Sequence, residues 1–203
     1  MGKRLKRGAL ALMPRVEALA ASGEVRLVVD GGHFETVIEE GLLGAKVSID
    51  IATADFKAML IPREGRREAR SVVAELRRLA GRGVEIRVLH AGVPSAAALL
   101  ELAGGLPENV TIRRCPRLHA KAVIVDSAAM YLGSANLTGA GLGAKGDSRR
   151  NFEWGVWTRS AALIESVLDQ YNALWEGRRC EGCGRKDVCP VPLEEPELPK
   201  FAR

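Results

Sequence analysis

The run Ala122-Val123-Ile124-Val125 constrains the chain more than any other: four consecutive apolar residues, three of them β-branched, bounded by Lys121 and Asp126. A segment so short and so apolar reads as a buried strand, the kind that lies inside a layered sheet. Further strands read over Glu24 to Val29, Val47 to Ile51, Val84 to Val88, 110–114 and 154–158, with a short one between Asp126 and Gly133. Between them the apolar period changes to that of helices: over 10–20, from Phe34 to Gly44, over 66–80, near 95–103, and from Ser160 as N-cap through Trp175. Residues 52–65 and 137–150 hold no period and read as loops. Strands alternating with helices predict an α/β layered sheet.

The same strand carries the chemistry. His119 and Lys121 are two residues apart, so at its start they point the same way. After the strand, the turn Gly133-Ser134-Ala135-Asn136 brings a hydroxyl and an amide to the same volume. Such a site suits an anionic, tetrahedral group. Breaking a phosphodiester requires a nucleophile, stabilisation of charge on the non-bridging oxygens and a proton for the leaving alkoxide. No Asp/Glu cluster near the stretch resembles a two-metal site, so Lys121 supplies the cation and Ser134 and Asn136 donate hydrogen bonds. His119 is left for covalent chemistry, provided a carboxylate holds its other ring nitrogen.

His119-x-Lys121, four residues, Asp126, six residues and Gly133-Ser134-x-Asn136 together resemble the signature of the phospholipase D superfamily, and Asn151-Phe152-Glu153 resembles its trailing Asn-x-Glu element. The resemblance implies a mixed β-sheet sandwiched between helices. It also implies a phosphohistidine intermediate on His119, protonation of the leaving group by a second motif histidine, and release by water. Glu153 would hold the nucleophilic histidine, with Asn151 as its companion. Asp126 is expected to be mainly structural, ending the strand and hydrogen-bonding locally. Only one such motif occurs: His33 and His90 lack the companion lysine and the Gly-Ser-x-Asn turn and read as packing or surface residues. The second copy is therefore expected from another chain, in a homodimer with a composite site on its two-fold axis.

The 203 residues carry a net charge of +5, with arginine well in excess of lysine, which suits a partner bearing phosphates. Arg113, Arg114 and Arg117 lead into the motif, and Lys145, Arg149 and Arg150 follow it, so both groups are expected to contact a nucleic-acid backbone. A third basic group holds Arg63, Arg66, Arg67 and Arg70. Aromatic residues make up only 4%, which argues against a broad base-stacking platform. No apolar run is long enough to span a bilayer, and Pro14, Arg15 and Glu17 interrupt the apolar stretch near the start, so a soluble cytoplasmic protein is expected, with no membrane contact. A metal-independent nuclease follows as the first reading. A nucleic-acid-binding module without turnover and a phosphodiesterase for small molecules or lipids are the alternatives, the lipid one lacking a visible apolar surface.

Residues 1–176 read as the catalytic domain and 177–203 as a cysteine-bearing tail. Cys180-x-x-Cys183 and Cys189-Pro190 join Cys115, just before the motif, in a set that reads more naturally as a metal site than as disulfides. The pattern resembles the iron-sulfur staple of AddB-type nucleases, which implies a structural 4Fe-4S cluster; zinc, disulfides and uncombined thiols stay open.

Overall fold

The structure is a computed structural model and describes residues 25–62, 69–185 and 187–189. The helix expected over 10–20, Arg63, Arg66, Arg67, Lys186 and the residues from Pro190 onward lie outside that set. The strands are β1 Val25–Val29, β2 Ser48–Thr53, β3 Leu60–Ile61, β4 Arg70–Ser71, β5 Glu85–His90, β6 Val110–Arg114, β7 Ala122–Val125, β8 Ala129–Gly133 and β9 Trp154–Thr158. The α-helices are α1 Val72–Ala80, α2 Ala96–Leu102 and α3 Ala161–Trp175. Seven strands form one sheet in the order β1-β9-β8-β7-β2-β5-β6, with β2, β5 and β6 parallel and every other neighbouring pair antiparallel. The fold is α/β with a mixed sheet between helices.

The four residues of β7 are all buried, and the strand lies mid-sheet between β8 and β2. Val123 and Val125 face one core with Ile49, Ile51, Tyr131 and Trp157, under α1 and the π-helical segment Phe34–Gly41. Ile124 and Ala122 face the other side, where Ile164, Tyr171 and Trp175 of α3 cover them. Asp50, 5% exposed, pairs with Arg87 at 2.6 Å, and the guanidinium lies over the Tyr171 and Trp175 rings at 5.1 and 5.4 Å. Arg113 lies over Trp175 at 4.8 Å and donates to its carbonyl at 3.1 Å, which pins the C-terminal end of α3 to the β6 edge.

Two local readings are corrected. The helix expected from 66 begins at Val72, because Arg70 and Ser71 pair with Ile61 and Leu60 in a hairpin, and Ser71 Oγ accepts the Ala74 N–H at 3.1 Å as an N-cap. Apolar spacing from Ala69 onward could not register that the first residues are held by a neighbouring strand. The helix expected from Phe34 to Gly44 is wound as a π-helical segment to Gly41 and a 3-10 turn over Leu42–Gly44. Gly41 is required there, since a Cβ on it would approach Trp157 to 2.8 Å.

Asp126 stands at the far end of β7 from His119, with Ser127 beside it; both have positive φ, 54° and 51°. Its carboxylate accepts the backbone N–H groups of Lys46, Val47 and Ser48 at 2.7 to 3.1 Å, which holds the entrance to β2. These contacts reach back 78 to 80 positions, so the bonding is not local. Burial pushes this carboxyl up, but the N–H groups of Ser48, Val47 and Lys46 outweigh it and leave the pKa below the ordinary aspartate value. The native chain then binds this proton less readily than the unfolded chain. The stabilisation is present above the ordinary aspartate pKa and is lost as pH falls through the lower native one. Asp126→Asn, which still suits a positive φ, is expected to cost about 1 kcal/mol at neutral pH after allowance for partial exposure, and less near pH ~3. Urea unfolding of both proteins at the two pH values checks this; an equal loss at both would refute it.

Candidate active site

The ends of five strands build the site. β1 and β2 finish at Val29 and Thr53, β8 finishes at Gly133, and β7 and β9 begin at Ala122 and Trp154, all on one side of the sheet. Gly133 N–H donates to the Lys121 carbonyl at 3.1 Å, so the Gly133–Asn136 turn lies directly beside the lysine. The Ser134 N–H donates to the Trp154 carbonyl at 2.9 Å, which ties the same turn to β9.

Lys121 is 8% exposed and His119 is exposed. The Lys121 ammonium donates to the His119 carbonyl at 2.8 Å and lies 3.1 Å from His119 Nδ1 and 3.4 Å from Nε2. An ammonium can only donate, but with both ring nitrogens within its reach this contact fixes neither tautomer. Within one chain, therefore, His119 is close to its cation, but Lys121 does not set its tautomer.

Glu153 is buried, and each of its carboxylate oxygens has a partner in its own chain. Ser134 Oγ donates to one, and Asn151 Nδ2 donates to the other at 3.0 Å. Ser134 Oγ also accepts the Trp154 N–H at 3.0 Å. The serine hydroxyl is thus directed at the glutamate. Asn136 Oδ1 accepts the N–H groups of Ala54 and Asp55 at 3.0 and 3.1 Å, which leaves Nδ2 as the amide's remaining donor. The asparagine first fastens β8 to the end of β2.

A buried relay beneath the turn escaped the sequence reading. Ala135 N–H donates to Tyr131 Oη at 3.1 Å, and that hydroxyl lies 3.0 Å from His33 Nε2. His33 Nδ1 lies 2.8 Å from the Asp30 carbonyl, which can only accept, so Nδ1 carries the proton and Tyr131 donates to Nε2. Burial lowers the His33 pKa against the opposing pull of the Asp30 carbonyl and of Glu153 and Asp30, and burial pushes the Tyr131 hydroxyl up to about 12. Asp30 also accepts the Glu153 N–H at 2.9 Å through Oδ1. His33 is therefore a fully buried neutral residue that supports the turn. His90 is buried too, with Nδ1 2.7 Å from the Gly92 carbonyl.

The basic residues divide. Arg113 is occupied by Trp175, and Arg114 Nε donates to the Ala91 carbonyl at 3.1 Å. Arg150 pairs with Asp147. Arg117, Lys145 and Arg149 are exposed. The sequence reading also overlooked an apolar surface beside Glu153: Phe152, Trp154, Leu27 and Val29 are 91%, 70%, 69% and 41% exposed. Val29 faces Trp154 across the β1–β9 pairing, so the patch is continuous from strand to strand.

A cavity of about 370 Å³ opens on the other flank of His119. Cys115, Cys180, Cys183 and Cys189 all line it, and none of them is in a disulfide.

The sequence model of the family described as "Cardiolipin synthase, PLD-like domain" matches residues 38–175. The chain belongs to the phospholipase D superfamily. No curated protein matches the sequence of this phospholipase D domain. Among solved structures its fold is similar to Nuc from Salmonella typhimurium, a phospholipase D family member, with a TM-score of 0.56 and 22% identity over 75% of this chain and 93% of that one. It is similar also to NucT from Helicobacter pylori, with a TM-score of 0.56 and 16% identity over 75% of this chain and 97% of that one. The phospholipase D domain has no helix among the described residues that is long and apolar enough to cross a membrane.

Proposed function

We propose that this domain is a metal-independent nuclease whose working site is assembled from two copies of the chain. The observation that carries the reading is the junction of His119 and Lys121 with the Gly133–Asn136 turn and the buried Glu153. A ring nitrogen of His119 attacks phosphorus and the P–O bond to the leaving group breaks. The partner subunit's His119 gives that alkoxide a proton, and water then cleaves the phosphohistidine. Lys121 and Asn136 Nδ2 stabilise the charge on the non-bridging oxygens. A carboxylate has about four acceptor positions, so Glu153 can keep Ser134 and Asn151 and still take a histidine N–H, which sets the tautomer that Lys121 alone does not.

Two features support the second copy. One chain brings a single histidine to this junction, and the patch of Phe152, Trp154, Leu27 and Val29 adjoins Glu153, where an isologous partner would cover it. Nuclease substrates are favoured by the exposed Lys145 and Arg149 in the loop beyond the turn. The apolar patch gives a second reading specific support: a lipid phosphodiester could rest on Phe152 and Trp154 if the partner left them open.

The test is hydrolysis of labelled single- and double-stranded DNA and RNA, and of phospholipid vesicles, in excess EDTA. Cleavage of nucleic acid alone is expected. Release of lipid headgroup with intact nucleic acid would transfer the site to the second reading, and a strict requirement for added divalent metal would overturn the mechanism.

A further inference from the structure

The cavity beside His119 joins two segments that are distant in the chain. Cys115 follows β6 directly, held by its N–H to the His90 carbonyl at 2.8 Å. Cys180, Cys183 and Cys189 follow α3, whose last residue Arg113 fixes over the sheet. After Trp175 there is neither helix nor strand among the described residues. Glu181, Arg185, Asp187 and Val188 of this segment are exposed, while its three cysteines turn inward to the cavity wall. A polar segment without secondary structure gains too little from apolar burial to hold one shape, and short units of this kind are ordered by a staple.

Cys180 and Cys183 sit on tight turns. Cys180 N–H donates to the Gly177 carbonyl at 2.9 Å and Cys183 N–H to the Cys180 carbonyl at 3.1 Å, with Gly177 and Gly182 at φ 74° and 67°. The cavity's charge is also informative. Arg117 donates to Cys183 Sγ at 3.5 Å, and Arg179 and Arg185 line the same wall. Three arginines around four thiols form an environment for sulfur ligands that carry negative charge, and Leu118 and Leu174 supply the apolar shielding.

We infer that Cys115, Cys180, Cys183 and Cys189 ligate one iron–sulfur cluster, which staples the segment after α3 to the loop that delivers His119. Cavity size favours a cluster over a single ion. Four thiolates about 2.3 Å from one zinc ion close on a common centre and leave no cavity. Here the four cysteines line a cavity of about 370 Å³ together with Arg117, Leu118 and Leu174. A core of several irons and sulfides is larger than one ion and suits such a space. Cys189-Pro190 adds the Cys-Pro ending that recurs where a cysteine ligates such clusters.

The experiment uses full-length protein purified without oxygen, and its readout is separate from hydrolysis. Broad visible absorbance, with iron and sulfide in equal amounts of about four each per chain, is expected. Cys115→Ser and Cys183→Ser are each expected to lose most of that absorbance, Cys115→Ser being the variant that tests the link across the chain. Anaerobic removal of the iron by chelator from the wild type, followed by reconstitution with iron and sulfide, should lower and then restore the melting temperature. One zinc per chain in place of iron would overturn the inference. So would metal-free protein that takes up neither iron nor sulfide on reconstitution, or Cys115→Ser protein with full iron and sulfide. The wild-type metal content and reconstitution decide the matter even if a variant fails to fold.

Discussion

Replacing His119 by alanine is expected to reduce EDTA-resistant hydrolysis by at least about a thousandfold and to leave the melting temperature nearly unchanged. The side chain is exposed, so its loss opens no cavity, and the buried Lys121 ammonium that it touches keeps its bond to the backbone carbonyl of residue 119. Removal of the atom that forms the covalent bond is a different matter, because neither Lys121 nor Asn136 can replace it. The same variant tests the two-copy site. If wild-type and His119→Ala chains are unfolded together in equal amounts and refolded, about a quarter of the dimers carry two histidines and about half carry one. A site that needs one histidine as nucleophile and the other as acid then retains about a quarter of the wild-type rate. Retention of one half would mean that each chain works alone, and sedimentation of an active monomer would lead to the same conclusion.

The sequence disclosed what depends on short spacing. His119, Lys121 and the Gly133–Asn136 turn are near neighbours on one hairpin, and the four apolar residues of β7 place that hairpin inside a sheet. The supporting contacts could not be read in this way. His33 meets Tyr131 across 98 positions, and Asp126 meets Val47 across 79, and neither partner carries a periodic signal. The arginines misled for a related reason. Arg113 and Arg114 are basic residues beside a motif, but edge strand β6 sets one against Trp175 and the other against the Ala91 carbonyl. Charge in a sequence gives the sign of a surface and not which cations the fold has already used. Phe152 and Trp154 flank Glu153 in sequence, yet only the position of β9 beside the edge strand β1 leaves them uncovered.

Gly155→Ala is expected to destabilise the protein by about 3 kcal/mol or more, seen as a melting temperature lower by about 6–12 °C. Gly155 faces Gly133 across the β8–β9 pair, and the Tyr131 ring lies against both. A Cβ at 155 would approach Tyr131 Cζ and Oη to 2.7 Å, inside any normal contact. The ring has no room to yield, because Tyr131 is fully buried and its hydroxyl is held between Ala135 N–H and His33 Nε2. Displacement would break the contact that holds Ala135 between Ser134 and Asn136, so the folded fraction should also lose hydrolysis. Gly146→Ala is the control, since a Cβ there meets nothing within 4 Å and its φ of −61° suits any residue. A Gly155→Ala protein that melts within about 2 °C of the wild type would show that the ring is not confined. Tyr131→Phe separates packing from hydrogen bonding: it keeps the ring over both glycines but releases Ala135 and leaves His33 Nε2 without its donor. If the hydroxyl is what holds the turn, this variant should lose more hydrolysis than its own drop in stability explains.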